Sequence, residues 1–162
     1  MTAEKAFTTE GLKEVTFAEG DTILAAETQT DRVYLLKAGT AVISREGHEI
    51  SRVSEPLSIF GEISALLGCP HSATVKAGVE CEFYVIEDLD AYCEQNPEAA
   101  LLISRILARR LVNMNDYFSE FKNELQAMES LNSEMAFAKK ISNLVLRLDR
   151  FWGQEVFATK PR

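Results

Sequence analysis

The chain has 162 residues, 46% hydrophobic and 26% charged, enough for one domain with a real core plus a helical appendage and ordinary for a soluble globular protein. Seventeen Lys and Arg against 25 Asp and Glu give a net charge of −8, so no basic face of the kind a nucleic-acid-binding domain needs is expected; the nearest approach is Arg105, Arg109 and Arg110 along one candidate helix. The N-terminus MTAEKAFTTE has no apolar signal-peptide core, no run reaches the ~18 apolar residues of a membrane span, and Cys69, Cys81 and Cys93 fit free thiols in a reducing cytoplasm.

After a helical turn or bend over residues 8–13, residues 14–86 are strand-like. Short β-branched and apolar runs (Val15-Thr16-Phe17, Thr22-Ile23-Leu24, Arg32 to Leu36, Thr40 to Ser44, Glu49 to Val53, Glu82 to Ile86) are separated by turn residues that include Gly20, Gly39 and Gly47. Strands recurring about every ten residues with glycine turns predict an antiparallel barrel or sandwich. Val33, Leu35 and Val42 alternate with neighbours expected to face outward, and Ser44 to Glu49 reads as a hairpin with His48 on its surface.

Within this region, residues 60–75 read FGEISALLGCPHSATV. Glu62 to Leu67 predict one and a half turns of helix, and Gly68 suits the left-handed position that closes it. A helix that starts after a glycine offers unpaired N–H groups and the positive end of its dipole, a ready site for a small anion. Glu62, in the first turn, can accept from a sugar hydroxyl, and Ser72 and Thr74 can add hydroxyl donors.

The stretch resembles the phosphate-binding cassette of the cyclic-nucleotide-binding domain, FGE(I/L)-ALL-xx-P-R-S/T-ATV, found in catabolite-activator-type regulators, protein kinase regulatory subunits and some ion channels. The glycine turns and VYLLKAGTAVI extend the resemblance over roughly residues 14–118. It implies an α+β fold: an antiparallel, jelly-roll-like β-roll (residues 1–96), a long dimerisation helix (97–129), and a terminal helix and tail (130–162). It implies a ligand, cyclic AMP or cyclic GMP or a related small anion, rather than a resident cofactor. Backbone amides of Gly61, Ile63 and Ser64 would line its phosphate, Glu62 would bind the ribose 2′-OH, and Ser72 and Ala73 would complete the phosphate pocket. One position departs: the family's arginine is His71 here. An arginine carries a permanent charge and a fork of donors, whereas neutral histidine offers one donor and titrates near 6.5, so binding should strengthen toward acid pH.

Beyond Glu87 the period changes. Asp88 caps a short helix to about Gln95, and Asn96-Pro97-Glu98 combines a cap, a first-position proline and a first-turn acid. Leu107, Leu111, Met114, Phe118, Phe121, Leu125 and Met128 follow at spacings of 4, 3, 4, 3, 4 and 3, a heptad seam. From Pro97 to Met128 such a helix would run about 48 Å. A homodimer through a parallel coiled coil over residues 107–128 is therefore expected, in preference to a helix folded back on its own roll. Arg110 resembles family residues that cover the ligand from the dimer helix; from its own surroundings in sequence it reads as a solvated helix arginine. Asn115 is a candidate base reader across the dimer.

Met135, Ala138, Ser142, Val145, Leu148 and Trp152 share one face of a final helix that Gly153 ends, and nine residues follow. A helix-turn-helix needs two more helices, so the expected output is an effector protein rather than DNA or a membrane. Cys69-Pro70-His71 also resembles the Cys-x-His pair of a haem-sensing branch, but that branch lacks the intact cassette, and no metal site is expected. No GxSxG or HExxH occurs, so no catalytic residues are assigned and no enzyme is expected. The alternative is a degenerate fold that no longer binds a cyclic nucleotide and serves as a dimeric interaction module or takes another small ligand.

Overall fold

A computed structural model describes residues 9–129. The final helix expected between Met135 and Trp152 and the side chains of Leu125 and Met128 lie outside the described residues. Among the described residues, eight strands form two four-stranded antiparallel sheets: β1 (Lys13–Phe17), β2 (Thr22–Leu24), β3 (Val33–Ala38), β4 (Ala41–Arg45), β5 (His48–Val53), β6 (Ile59–Phe60), β7 (Thr74–Ala77) and β8 (Cys81–Ile86). One sheet runs β1-β8-β3-β6 and the other β2-β7-β4-β5. Helix α1 (Glu62–Leu67) interrupts the roll, and α2 (Leu89–Gln95) and α3 (Pro97–Glu129) follow it.

Strand β3 departs from the expected half-exposed pattern: Val33, Tyr34, Leu35 and Leu36 are all buried. The alternation persists, but each face has its own core. Tyr34 and Leu36 point between the sheets with Leu24, Ile43, Val75 and Phe83, where the Phe83 ring meets Phe17, Tyr34 and Phe60 edge-on at 5.9, 5.9 and 6.1 Å. Val33 and Leu35 point the other way, onto Leu89, Ala99, Ile103 and Ile106 of the helices. Helices cover a face that a free-standing roll would leave wet, and for that reason the run reads as nearly continuous apolar sequence.

Asp88 caps α2 as expected, accepting from the Ala91 N–H at 2.9 Å. Asn96 differs. Its side-chain amide donates back to the Tyr92 carbonyl at 2.9 Å and so closes α2, while its own carbonyl accepts from the Ala99 N–H at 2.9 Å to start α3. Two stripes run along α3. Ala99, Ile103, Ile106 and Arg110 are buried against the roll. The heptad seam is rotated from them: Leu107 and Met114 are half-buried, whereas Leu111 is 62% exposed and Phe118 60% exposed.

Gly39 turns β3 into β4 at φ +102°, and a Cβ there would stand 2.5 Å from the Glu80 carbonyl oxygen. Both the left-handed backbone and the backbone contact oppose any side chain. Gly39→Ala is expected to lose about 2–3 kcal/mol of stability, read from the midpoint of urea unfolding at unchanged m-value.

Candidate functional site

Strand β6 ends at Phe60, and the chain enters α1 through Gly61 at φ +89°. A Cβ on Gly61 would lie 2.8 Å from the Arg32 carbonyl oxygen, so the close approach of the β2–β3 loop to the cassette requires glycine. No side chain caps α1. Its first-turn N–H groups therefore have no intrahelical acceptor. The helix closes at Gly68, φ +59°, whose N–H donates to the Ser64 carbonyl. The Ser64 hydroxyl donates to the Cys69 carbonyl, which ties down the turn.

Glu62 is 3% exposed, and it forms an ion pair with Arg110, which is 8% exposed on α3. Arg110 also donates to the Ile59 carbonyl at 3.4 Å. The arginine is thus not the solvated helix residue that its local sequence suggests. It occupies the next position of the inner stripe Ala99-Ile103-Ile106, where an apolar residue would ordinarily stand. That spacing was the signal available for its burial.

His71 is also buried, 5% exposed. Its N–H donates to the Thr28 carbonyl at 2.8 Å, its carbonyl accepts from the Glu27 N–H at 3.0 Å, and its Nε2 lies 3.1 Å from the Thr30 hydroxyl. Burial pushes the imidazole pKa below its usual value; the negative charge of Glu62 opposes that but does not overcome it. The neutral form of the ring is accordingly favoured. The Thr74 hydroxyl accepts from the Ala26 N–H at 3.1 Å and so holds the β2–β3 loop.

These elements surround one cavity of about 770 Å³. Gly61, Glu62, Ile63, Ser64, His71, Ser72, Ala73 and Arg110 all line it. Ile63 is exposed, which leaves its amide as the group to offer a ligand. Sequence reasoning did not find the remainder of the wall. Ile43 and Ile50 come from β4 and β5, and Arg45, Glu46, His48 and Glu49 from their hairpin; Leu107, Leu111 and Met114 come from α3. Strand period alone places Ile43 and Arg45 on one face, but nothing local says which cavity that face meets. Among the described residues no group of three or more His, Cys, Asp or Glu is arranged to hold a metal ion, and no helix is long and apolar enough to cross a membrane.

Comparison with known proteins matches residues 14–96 to the cyclic nucleotide-binding domain. The CRP-like cAMP-activated global transcriptional regulator of Mycobacterium tuberculosis is 30% identical over 118 residues, which cover 69% of this chain and 53% of that protein. The chain thus spans about half the length of the curated relatives it matches. Among solved structures, the catabolite activator protein of Thermus thermophilus aligns with TM-score 0.64 at 23% identity, covering 72% of this chain and 57% of that one. The PKAR CBD2 domain with bound Sp-2Cl-cAMPS aligns with TM-score 0.55 at 25% identity, over 68% of this chain and 72% of that one.

A buried carboxylate whose partner is removed keeps its desolvation cost and loses its compensation. Arg110→Met is expected to destabilise the protein by about 3–5 kcal/mol, and adding Glu62→Gln should restore part of that loss. Urea unfolding of the two single variants and the double variant measures both effects.

Proposed function

The chain belongs to the cyclic nucleotide-binding domain family, and from that premise we propose that it is a cytoplasmic regulatory binding module, not an enzyme, whose cavity takes cyclic AMP or cyclic GMP. The observation that carries this reading is the convergence of an uncapped α1, Glu62, His71, Ser72 and Arg110 on one cavity roofed by α3. In the proposed pose the cyclic phosphate meets the amides of Gly61, Ile63 and Ser64 beside Ser72, Ala73 and His71. The ribose hydroxyl donates to Glu62, and the base lies against Ile43, Ile50, Leu111 and Met114. A ligand on Glu62 competes for the oxygens that hold Arg110, and thus bears on the angle between cassette and α3. It shifts that angle only by binding one arrangement more tightly than another.

The heptad seam, with Leu111 exposed, supports a homodimer through α3. The net charge of −8 favours an effector protein over DNA as the recipient of the signal, since a polyanion would be repelled. A second reading rests on His71: with a neutral, buried ring in place of a fixed positive charge, the fold would no longer bind a cyclic nucleotide and would act as a dimeric interaction module.

Calorimetry with cyclic AMP and cyclic GMP at pH 6 and pH 8, on wild type and on His71→Arg, separates the two readings. Burial lowers the ring pKa in the free protein, and a bound anion raises it. Binding therefore takes up a proton, and affinity increases as pH falls from the bound-state value toward the free-state value. Wild type should bind more tightly at pH 6 than at pH 8. His71→Arg should show little pH dependence and bind more tightly than wild type at pH 8, by roughly tenfold to a hundredfold given that a charge-assisted contact contributes ~1.5–3 kcal/mol. Absence of binding by either protein at millimolar ligand supports the second reading. Sedimentation equilibrium tests the seam: wild type should be a dimer at tens of micromolar and Leu111→Asp a monomer.

A further inference from the structure

Among the described residues, two side chains of permanent positive charge line the cavity, Arg45 and Arg110. Arg110 is committed, buried against Glu62 and the Ile59 carbonyl. The acids on the wall are Glu46, Glu49 and Glu62. Glu49 is occupied from outside the wall by Arg52, which donates to its two oxygens at 2.7 and 2.9 Å. Arg45 is held far less closely. It meets the neighbouring Glu46 carboxylate at 3.9 Å, with side chains 60% and 84% exposed. An exposed pair of this kind contributes little and yields readily to a better acceptor.

Strand pairing sets Arg45 close to the position where the cassette has no fixed charge. Strands β4 and β7 keep an unbroken antiparallel register from Ala41↔Ala77 to Ser44↔Thr74. One residue further, the same register brings Arg45 beside Ala73, across the ~4.8 Å between neighbouring strands. Residues opposite one another project to the same face. The wall agrees: Ile43, Arg45, Ala73 and Val75 line the cavity, and the alternate residues Val42, Ser44 and Thr74 do not. Ala73 carries only a methyl group, so an arginine opposite it can lie across it toward Ser72 and His71.

We propose that Arg45 is a ligand-binding residue, the permanent cation that meets the cyclic phosphate in place of the arginine that position 71 lacks. On binding, its guanidinium leaves Glu46 for the phosphate oxygens, which suit its planar fork of N–H donors. The amides of α1 and the charge on β4 then reach the phosphate from separate elements, and the ligand ties the β4–β5 hairpin to the cassette. This assignment rests on the cavity being a cyclic nucleotide site.

Calorimetry on the full chain at pH 8, with cyclic AMP and with cyclic GMP, tests it. Arg45→Gln should bind about tenfold to a hundredfold more weakly than wild type, the range for a lost charge-assisted contact. The loss should be alike for both nucleotides, because they share the phosphate and differ in the base. In a His71→Arg background, where the cassette has its own cation, the same substitution should cost less than about threefold. The side chain is exposed, so the urea-unfolding midpoint should not move. An Arg45→Gln protein that binds like wild type, a loss confined to one nucleotide, or an equal loss in both backgrounds overturns the proposal. Binding by His71→Arg with none by wild type also overturns it, since the cavity is then sound but no cation on β4 serves it. If no variant binds either nucleotide at millimolar concentration, the cyclic nucleotide reading itself fails, and this assignment with it.

Discussion

Glu62 and Arg110 each lie almost entirely out of water, and neither could remain there as a charge without the other. The pair joins elements 48 residues apart, the short cassette helix and the long helix that roofs the cavity. Hydrophobic contact is forgiving about small rotations. A buried ion pair is not, because a shift that separates the charges uncovers a desolvation cost of several kcal/mol. The apolar stripe Ala99-Ile103-Ile106 lays α3 on the sheet, and Arg110 sets how far along and at what rotation it lies. The positions of Leu107, Leu111 and Met114 over the cavity follow from that setting.

Features governed by one residue's own backbone preferences were legible in the sequence. The bounds of α1, the left-handed Gly68, the Asp88 cap and the turn at Gly39 each follow from φ/ψ chemistry that a short window contains. The cassette resemblance brought together seven residues, and all seven line one cavity with Arg110 of α3. Long-range partnerships were not legible. Nothing near Thr74 indicates that its hydroxyl holds the β2–β3 loop, and nothing near Asn96 decides whether its amide closes the helix behind it or caps the one ahead. Arg110 lies between these cases: its stripe spacing was visible, but a charged residue at an inward position becomes credible only once its partner is known.

Where the cassette it resembles carries an arginine, this chain carries a buried ring whose pKa burial lowers. Backbone amides and a helix terminus provide partial charges that no side-chain substitution removes, so the field at the start of α1 does not depend on which side chain stands at position 71. His71 is held by two backbone bonds and one side chain, a degree of restraint that a surface residue does not need. His71 thus joins the cassette to the β2–β3 loop at the edge of the cavity.

Strand β3 carries a consequence for insertions and deletions. Its alternate side chains feed two different cores, Tyr34 and Leu36 between the sheets and Val33 and Leu35 beneath the helices. In a sheet with one wet face, a one-residue slip puts oil in water and is penalised at once. Here a slip would exchange most of one apolar set for the other, and the polarity penalty is confined to the strand ends, where Arg32 or Lys37 would take the buried place of Val33 or Leu36. Within the strand, discrimination comes from shape: the Tyr34 ring, with its edge-on neighbours Phe17 and Phe83, does not fit the niche that Val33 or Leu35 fills. Fidelity of pairing thus depends on side-chain outline within the strand and on the charged residues that bound it.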